Sequence, residues 1–453
     1  MGNRNGVDLI HGTLFKKILF MAMPLALTGI IQQFFNAADI AMIGRFVDKD
    51  AMAAVGSSAP IITTLISLFI GLSIGTNVVL AAFIGKNEID NVKKTVHTSI
   101  VLAILSGILL TVIGEILTYP LLVWLEVPVE IIGMAELYLR ILFIEMPFGL
   151  LYNFESSIFR AIGDTKTPLL ALIIGGIIKV FLNLIILLVL DFGASGVAIG
   201  SIIANFISAA ILYVRLRKTT TILHVEPSAL LISYDILKRI LKIGIPAGLQ
   251  GVVFCLSNLL IQSALNSLGA EVMAASAAGY NIEIFVYFMM YSFAQVNTTV
   301  VGQNYGAGQL ERCRRATKIC FLQTAIFSVF IISFVVYFAE PLLQLFTVDE
   351  TVIEYGKIRL FYVIGFEWIN TILDLLAGSL RGYGNSTIPA VISLIGICGV
   401  RITWVYTVFV ENPTMKTLML CYPVSWTVAS VILWITYIYY VRQLEKTMGY
   451  SSQ

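Results

Sequence analysis

The chain has 453 residues, 58% of them hydrophobic and only 12% charged. A soluble protein would carry roughly 25% charged residues, so the composition excludes an ordinary water-soluble domain and makes the chain a polytopic membrane protein. The formal charge of +2 gives no reason to invoke a nucleic-acid partner.

A spanning helix needs about 20 apolar residues, and twelve runs qualify, near 14–44, 52–83, 95–118, 133–157, 168–190, 194–214, 238–267, 273–301, 317–339, 355–379, 389–410 and 418–441. The short alternating segments of a membrane β-barrel are missing. Several runs carry polar or charged residues. The first holds Thr28, Gln32, Asn36 and Asp39 at spacings of four, four and three, which places them on one helical face. Glu145 falls in the fourth run, Lys179 and Asn183 in the fifth, and Asn258 and Gln262 in the seventh. The eighth has Glu283 with Tyr287, Met290 and Tyr291 around it, the tenth has Glu367, Asn370 and Asp374, and the eleventh has Arg401. Loops on one side collect most of the Lys and Arg, whereas the other side has Arg45, Lys49 and Lys416. This asymmetry predicts cytoplasmic termini. The N-terminal "MGNRNGVDLIHGTLFKK" has no cleavage site after a short apolar core, so the first span is expected to be retained uncleaved.

The sequence is written twice. Pro24 and Pro246 lie 222 residues apart, within "LFKKILFMAMPLALTGI" and "ILKRILKIGIPAGLQGV". "FRAIGDTKTP" recurs as "LRGYGNSTIP" at an offset of 221, and "GKNEIDNVKK" recurs as "GAGQLERCRR" at the same offset. Six spans per copy is an even number, so both copies enter the membrane from one side. That predicts parallel repeats related by a pseudo-twofold axis along the membrane normal. The boundaries expected are an N-terminal bundle at 1–214, a cytoplasmic linker at 215–237 and a C-terminal bundle at 238–453.

On these segments, together with "ADIAMIGRF" and "VGQNYGAGQ", the sequence resembles the multidrug and toxic compound extrusion (MATE) transporters over almost its whole length. It is nearer to the DinF-like than to the NorM-like pattern and departs from both. The resemblance implies an all-α fold of two six-helix bundles that alternates between inward-open and outward-open states. It implies export of small amphipathic, often cationic compounds in exchange for H⁺ or Na⁺, and it gives the aspartate on the first helix, here Asp39, the main cation-coupling role. A Na⁺ site at Asp39 is the one metal site it suggests. The DinF-like branch often carries Asn-x-x-x-Asp on the fifth helix, where this chain has Lys179 and Asn183. The NorM-like acid on the seventh helix is absent around Phe254 and Cys255.

The residues themselves lead to the same place. A charge at the centre of a span costs about 3 kcal/mol or more, and an intramembrane acid is therefore read as functional first. Asn36, Asn183 and Lys179 are the expected partners of Asp39 in cation coupling. The repeat maps Asp39 onto Ile261, so coupling should be asymmetric between the halves, with Glu283 and Asp374 as candidates in the C-terminal half. It also maps Glu145 onto Glu367 and Lys179 onto Arg401, which predicts equivalent buried ion pairs Glu145–Lys179 and Glu367–Arg401. If Asp39 is within reach of Lys179, protonating it would hand the ammonium to Glu145. A substrate cavity is expected from Gln32, Asn258, Gln262, Glu283, Tyr287, Met290, Tyr291 and Asp374, with inter-helix packing as the alternative.

No Walker motif occurs, the three histidines form no protease motif, and the five cysteines have no CxxC spacing, so ATP-driven pumping, an enzyme, a zinc site and a disulfide framework are not expected. No cofactor beyond the coupling ion is expected, and the partners are small amphipathic substrates and membrane lipid, with the monomer as the working unit in the cytoplasmic membrane. Two other readings stand beside the antiporter: a lipid-linked precursor flippase, and a non-transporting receptor or scaffold.

Overall fold

The computed structural model describes residues 6–190 and 192–448. Those residues are helical or loop, with no strand among them. In chain order the spanning helices are α1 (Leu14–Phe46), α2 (Lys49–Lys86), α3 (Ile89–Trp124), α4 (Val129–Ala161), α5 (Lys166–Ile185), α6 (Gly193–Lys218), α7 (Tyr234–Asn266), α8 (Ala270–Gly306), α9 (Leu310–Tyr337), α10 (Glu350–Gly382), α11 (Thr387–Phe409) and α12 (Met415–Thr447). All but α4 are apolar enough over a full span to cross a membrane on composition alone. Helix α4 is 33 residues long but carries Glu130, Glu136, Arg140, Glu145, Glu155 and Arg160. Backbone groups in lipid must bond within their own segment, which is why such a chain folds into helices.

The repeated motifs turn out to be helix junctions. In "RAIGDTKTP" and "LRGYGNSTIP", Gly163 (φ 84°) and Gly384 (φ 87°) take the left-handed conformation that ends α4 and α10. The next residue then caps the following helix. Asp164 Oδ1 accepts from the Thr167 amide at 3.0 Å, and Asn385 Oδ1 accepts from the Ile388 amide at 3.2 Å. Asn87 (φ 59°) and Gly308 (φ 73°), the matching positions after α2 and α8, share the left-handed geometry. Backbone requirements at these turns thus account for the most visible part of the duplication.

Two compact units form. The first comprises the residues up to Asp8 and Leu27–Gly248, and the second comprises Leu9–Ala26 and Leu249–Gln453. In the first unit, the backbones of α2 and α7 approach closely: a Cβ on Gly71 would strike the backbone of Gly248, and one on Gly75 would lie 2.5 Å from the Ile240 carbonyl. Small residues serve membrane helices in this way. The segment between α6 and α7 lies on α3, with the Glu226 amide 3.1 Å from His97 Nε2 and the Ser233 amide donating to Thr98 Oγ1 at 3.1 Å. In the second unit, Gln323 Nε2 donates to the Phe15 carbonyl at 2.6 Å, fixing the start of α1 against α9.

The helices that the repeat equates, α5 and α11, both depart from α geometry. Helix α5 continues into a π-helical stretch at Ile186–Leu190, and α11 contains two, Leu394–Gly399 and Val405–Phe409. Helix α10 breaks after Val363 and resumes at Glu367.

Candidate functional site: a buried acid–base pair in each unit

In the first unit, Phe35 on α1 sits over Gly176 of α5, where any Cβ would collide with the ring. One turn further along each helix, that close approach brings Asp39 to Lys179. Lys179 Nζ is 2.5 Å from Asp39 Oδ2, and Asn183 Nδ2 donates to Asp39 Oδ1 at 2.9 Å. Both carboxylate oxygens are therefore engaged by donors. Asp39 is only 7% exposed and Asn183 fully buried. Helix α6 approaches α5 through Gly200, where a Cβ would overlap the Asn183 amide oxygen.

The fold thus brings together Asp39, Lys179 and Asn183, three of the four residues expected to couple the cation, but Asn36 is not joined to them. It is exposed, as is Gln262, whose amide donates to Asn266 at 2.8 Å. Gln32 is half-buried on the same helix as Asn36. The expected Glu145–Lys179 pair is corrected: the ammonium is bonded to Asp39, and Glu145 Oε1 instead accepts from Asn205 Nδ2 of α6. The reason is that α1 presents its own carboxylate closer to α5. Lys179 still lies near enough to Glu145 to interact with it electrostatically.

Gly200 yields a sharp expectation. Gly200→Ala should push the Asn183 amide away from its present position and imitate Asn183→Ala. A hydrogen bond to a charged group contributes about 1.5–3 kcal/mol. Loss of that bond should cost both variants about that much stability, measured as a fall in melting temperature of purified protein. An unchanged melting temperature in both would remove Asn183 from the site.

The second unit is arranged differently. The expected Glu367–Arg401 pair is also corrected. The break in α10 places Glu367 in the first turn of a new helical segment, where the helix dipole favours an acid, and Asn370 Nδ2 donates to its Oε1 at 2.8 Å. Arg401 donates to Ser425 Oγ at 3.2 Å, to Ser257 Oγ at 3.4 Å and to Asn258 Oδ1 at 3.0 Å, and its guanidinium lies 4.4 Å from the centre of the Tyr422 ring. The most buried ion pair among the described residues of this unit is one the sequence did not suggest. Arg359 of α10 donates to Glu283 Oε2 of α8 through Nε at 3.1 Å and Nη2 at 2.7 Å, and to Ser276 Oγ through Nη1 at 2.6 Å. Glu283 is thus tied to a neighbouring helix.

Of the remaining cavity expectations, Met290 is corrected. It is buried in an apolar cluster with Ile282, Val286 and Val335, and Ser328 Oγ lies 3.2 Å from its sulfur. Tyr287 and Tyr291 stack with ring centres 5.3 Å apart and are half-buried, as is Asp374. Glu155 was also missed. It is fully buried on α4, and neither carboxyl oxygen has a hydrogen-bond partner among the described residues.

The duplicated helical fold and the acid–base pair between spans describe a multi-pass membrane protein of internally repeated design. The chain belongs to the MatE family, whose family model matches residues 24–185 and 246–407, two copies at the 222-residue offset read from the prolines. Among its relatives are the "Probable multidrug resistance protein YoeA" of Bacillus subtilis, 26% identical over 397 residues and 86% of each chain, and the "Probable multidrug resistance protein NorM" of Thermotoga maritima, 27% identical over 396 residues, 85% of this chain and 84% of that one. Its fold is shared with a structure described as "Crystal structure of MATE in complex with MaL6", at a TM-score of 0.91 and 20% identity, covering 98% of this chain and 100% of the other. A second structure, described as "Outward-facing conformation of a multidrug resistance MATE family transporter of the MOP superfamily", matches with the same score, identity and coverage.

Proposed function

We propose that the chain is a secondary antiporter that exports small amphipathic compounds across the cytoplasmic membrane in exchange for an inward-moving cation, by alternating access. The names of its relatives support drug export, and the asymmetry of Lys and Arg between the loops supports cytoplasmic termini. One observation carries the coupling: Asp39 is buried between spans and neutralised by a lysine rather than by an arginine. A guanidinium keeps its proton under all ordinary conditions, whereas an ammonium of a buried lysine changes partners or charge readily.

The cycle follows from this geometry. Neutralising Asp39 from outside breaks its attraction for Lys179. The ammonium then has Glu145 as its nearest alternative acid, and that transfer alters how α1 and α5 pack. A conformational equilibrium responds only to a ligand that binds its states unequally; the Asp39 site supplies that inequality if Lys179 sits on Asp39 in one state and on Glu145 in the other. Both oxygens of Asp39 are taken by donors, Lys179 Nζ on Oδ2 and Asn183 Nδ2 on Oδ1, and this favours H⁺ over Na⁺ as the coupling ion.

The test is reconstitution into liposomes, with export of a fluorescent cationic dye followed under a pH gradient and a sodium gradient separately. Export driven by the pH gradient, and lost in Asp39→Asn, is expected. Export that responds to neither gradient, with Asp39→Asn indistinguishable from the parent, would overturn the reading.

A further inference from the structure

We propose that Arg401 forms a binding site for an anionic group, so that the compounds handled by this chain include amphipathic acids and zwitterions as well as cations; this deepens, and rests on, the export reading above. The two halves carry a base at equivalent positions, Lys179 on α5 and Arg401 on α11, at the 222-residue offset. In the first unit the base is neutralised within the chain by Asp39. The equivalent of Asp39 in the second unit is Ile261, a buried apolar residue. Arg401 has consequently kept the charge and lost the acid.

The surroundings of the guanidinium bear this out. It is 2% exposed, yet its hydrogen-bond acceptors are two hydroxyls and an amide. Among the described residues, no carboxylate oxygen lies within 4.0 Å of it. Two acids inside this unit have bonded partners of their own: Glu283 is held by Arg359, and Glu367 accepts from Asn370 and acts on Arg401 only through space. Charges buried in this manner are costly unless matched, and the present partners bring dipoles only. Arg401 is held in orientation by the Tyr422 ring, and Asn258, which accepts from its Nη1, is itself exposed, so the proposal requires entry from the Asn258 side.

A second, independent feature marks the same place. Arg401 lies in a five-residue α-helical stretch, Val400–Trp404, between the two π-helical stretches of α11. Such π segments cost helix stability and are found frequently at functional sites. A planar guanidinium with oriented N–H groups suits a carboxylate, sulfonate or phosphate. That anionic group arrives either on an exported compound or on a lipid headgroup.

The experiment compares a rhodamine bearing a free carboxylate with its methyl ester, by fluorescence polarisation with purified protein in nanodiscs of phosphatidylcholine. The parent should bind the acid about ten-fold more tightly than the ester, the equivalent of about 1.4 kcal/mol. Arg401→Gln should lose that preference while retaining ester binding, and Arg401→Lys, which keeps the charge without the fork, should retain part of it. Equal affinities in the parent, or a preference that survives in a folded Arg401→Gln, would overturn the proposal. Should Arg401→Gln fail to fold, the parent and Arg401→Lys still decide the matter. Repeating the titration in discs containing phosphatidylglycerol separates the sources: acid binding weakened by that lipid in the parent, but not in Arg401→Lys, supports the site with a headgroup as its occupant. A chain that exports both dyes under a gradient yet shows no acid preference keeps the export reading and loses this one.

Discussion

Asp39→Asn should abolish ion-driven export and also destabilise the protein, because it takes from the Lys179 ammonium the carboxylate now bonded to it and leaves only Glu145, already engaged by Asn205. Removing one member of a buried ion pair costs about 3–5 kcal/mol, and the 2.5 Å contact between Lys179 Nζ and Asp39 Oδ2 makes this a pair of that kind. Lys179→Met should lose stability for the converse reason. The double variant Asp39→Asn/Lys179→Met carries neither charge, so it should recover most of the thermal stability lost by either single change. Export should not recover with it. That divergence, read from thermal melting and dye export on the same preparations, separates a coupling pair from one that merely fixes helix register. Recovery of export in the double variant, or ion-driven export intact in Lys179→Met, would contradict the handover of the ammonium.

Arg359→Met should produce the largest loss of stability in the second unit. Glu283 would be left inside the bundle without the two N–H groups that now reach Oε2, and Ser276 would lose its donor. A cost of about 3–5 kcal/mol applies again, measured as a fall in melting temperature. Glu283→Gln should cost less, since an amide still accepts from the guanidinium. The double variant Arg359→Met/Glu283→Gln should be more stable than Arg359→Met alone, a coupling that a double-mutant cycle reads directly. Export per folded molecule should survive in the double variant, because the bonds of this pair join α10 to α8 alone: Arg359 holds Glu283 and Ser276 and lies over the Tyr280 ring. Loss of export from folded double variant would give Arg359 a part in transport.

The duplication and the spans were legible in the sequence because they rest on local requirements. Glycine or asparagine in left-handed geometry, followed by an Asp or Asn cap, is needed at each junction, and the periodic landmarks preserve that need. Asp39 was legible because a carboxylate inside an apolar run is conspicuous wherever it folds. Its pairing was not settled, because Glu145 and Asp39 are both acids near Lys179 and only the approach of α1 over Gly176 decides between them. The Glu367–Arg401 expectation failed for a related reason. Symmetry of residue types was read as symmetry of contacts, while the break in α10 gives Glu367 a helix terminus of its own. Arg359 was overlooked because nothing in the spacing joins it to Glu283, 76 residues earlier in the chain. The role of Gly200 is invisible without the packing of α6 on Asn183.

The central claim is that the coupling ion is gained and lost at the Asp39–Lys179 pair, and the most direct measurement is ion release on substrate addition. Purified protein in weakly buffered detergent solution is mixed with a saturating cationic dye while a soluble pH indicator reports released protons and a sodium-selective electrode reports released Na⁺. The account predicts proton release by the parent protein, close to one per chain or a fixed fraction of it, and none by Asp39→Asn, although the variant still binds the dye. Equal release by the two proteins, or none by either when dye is bound, would contradict it.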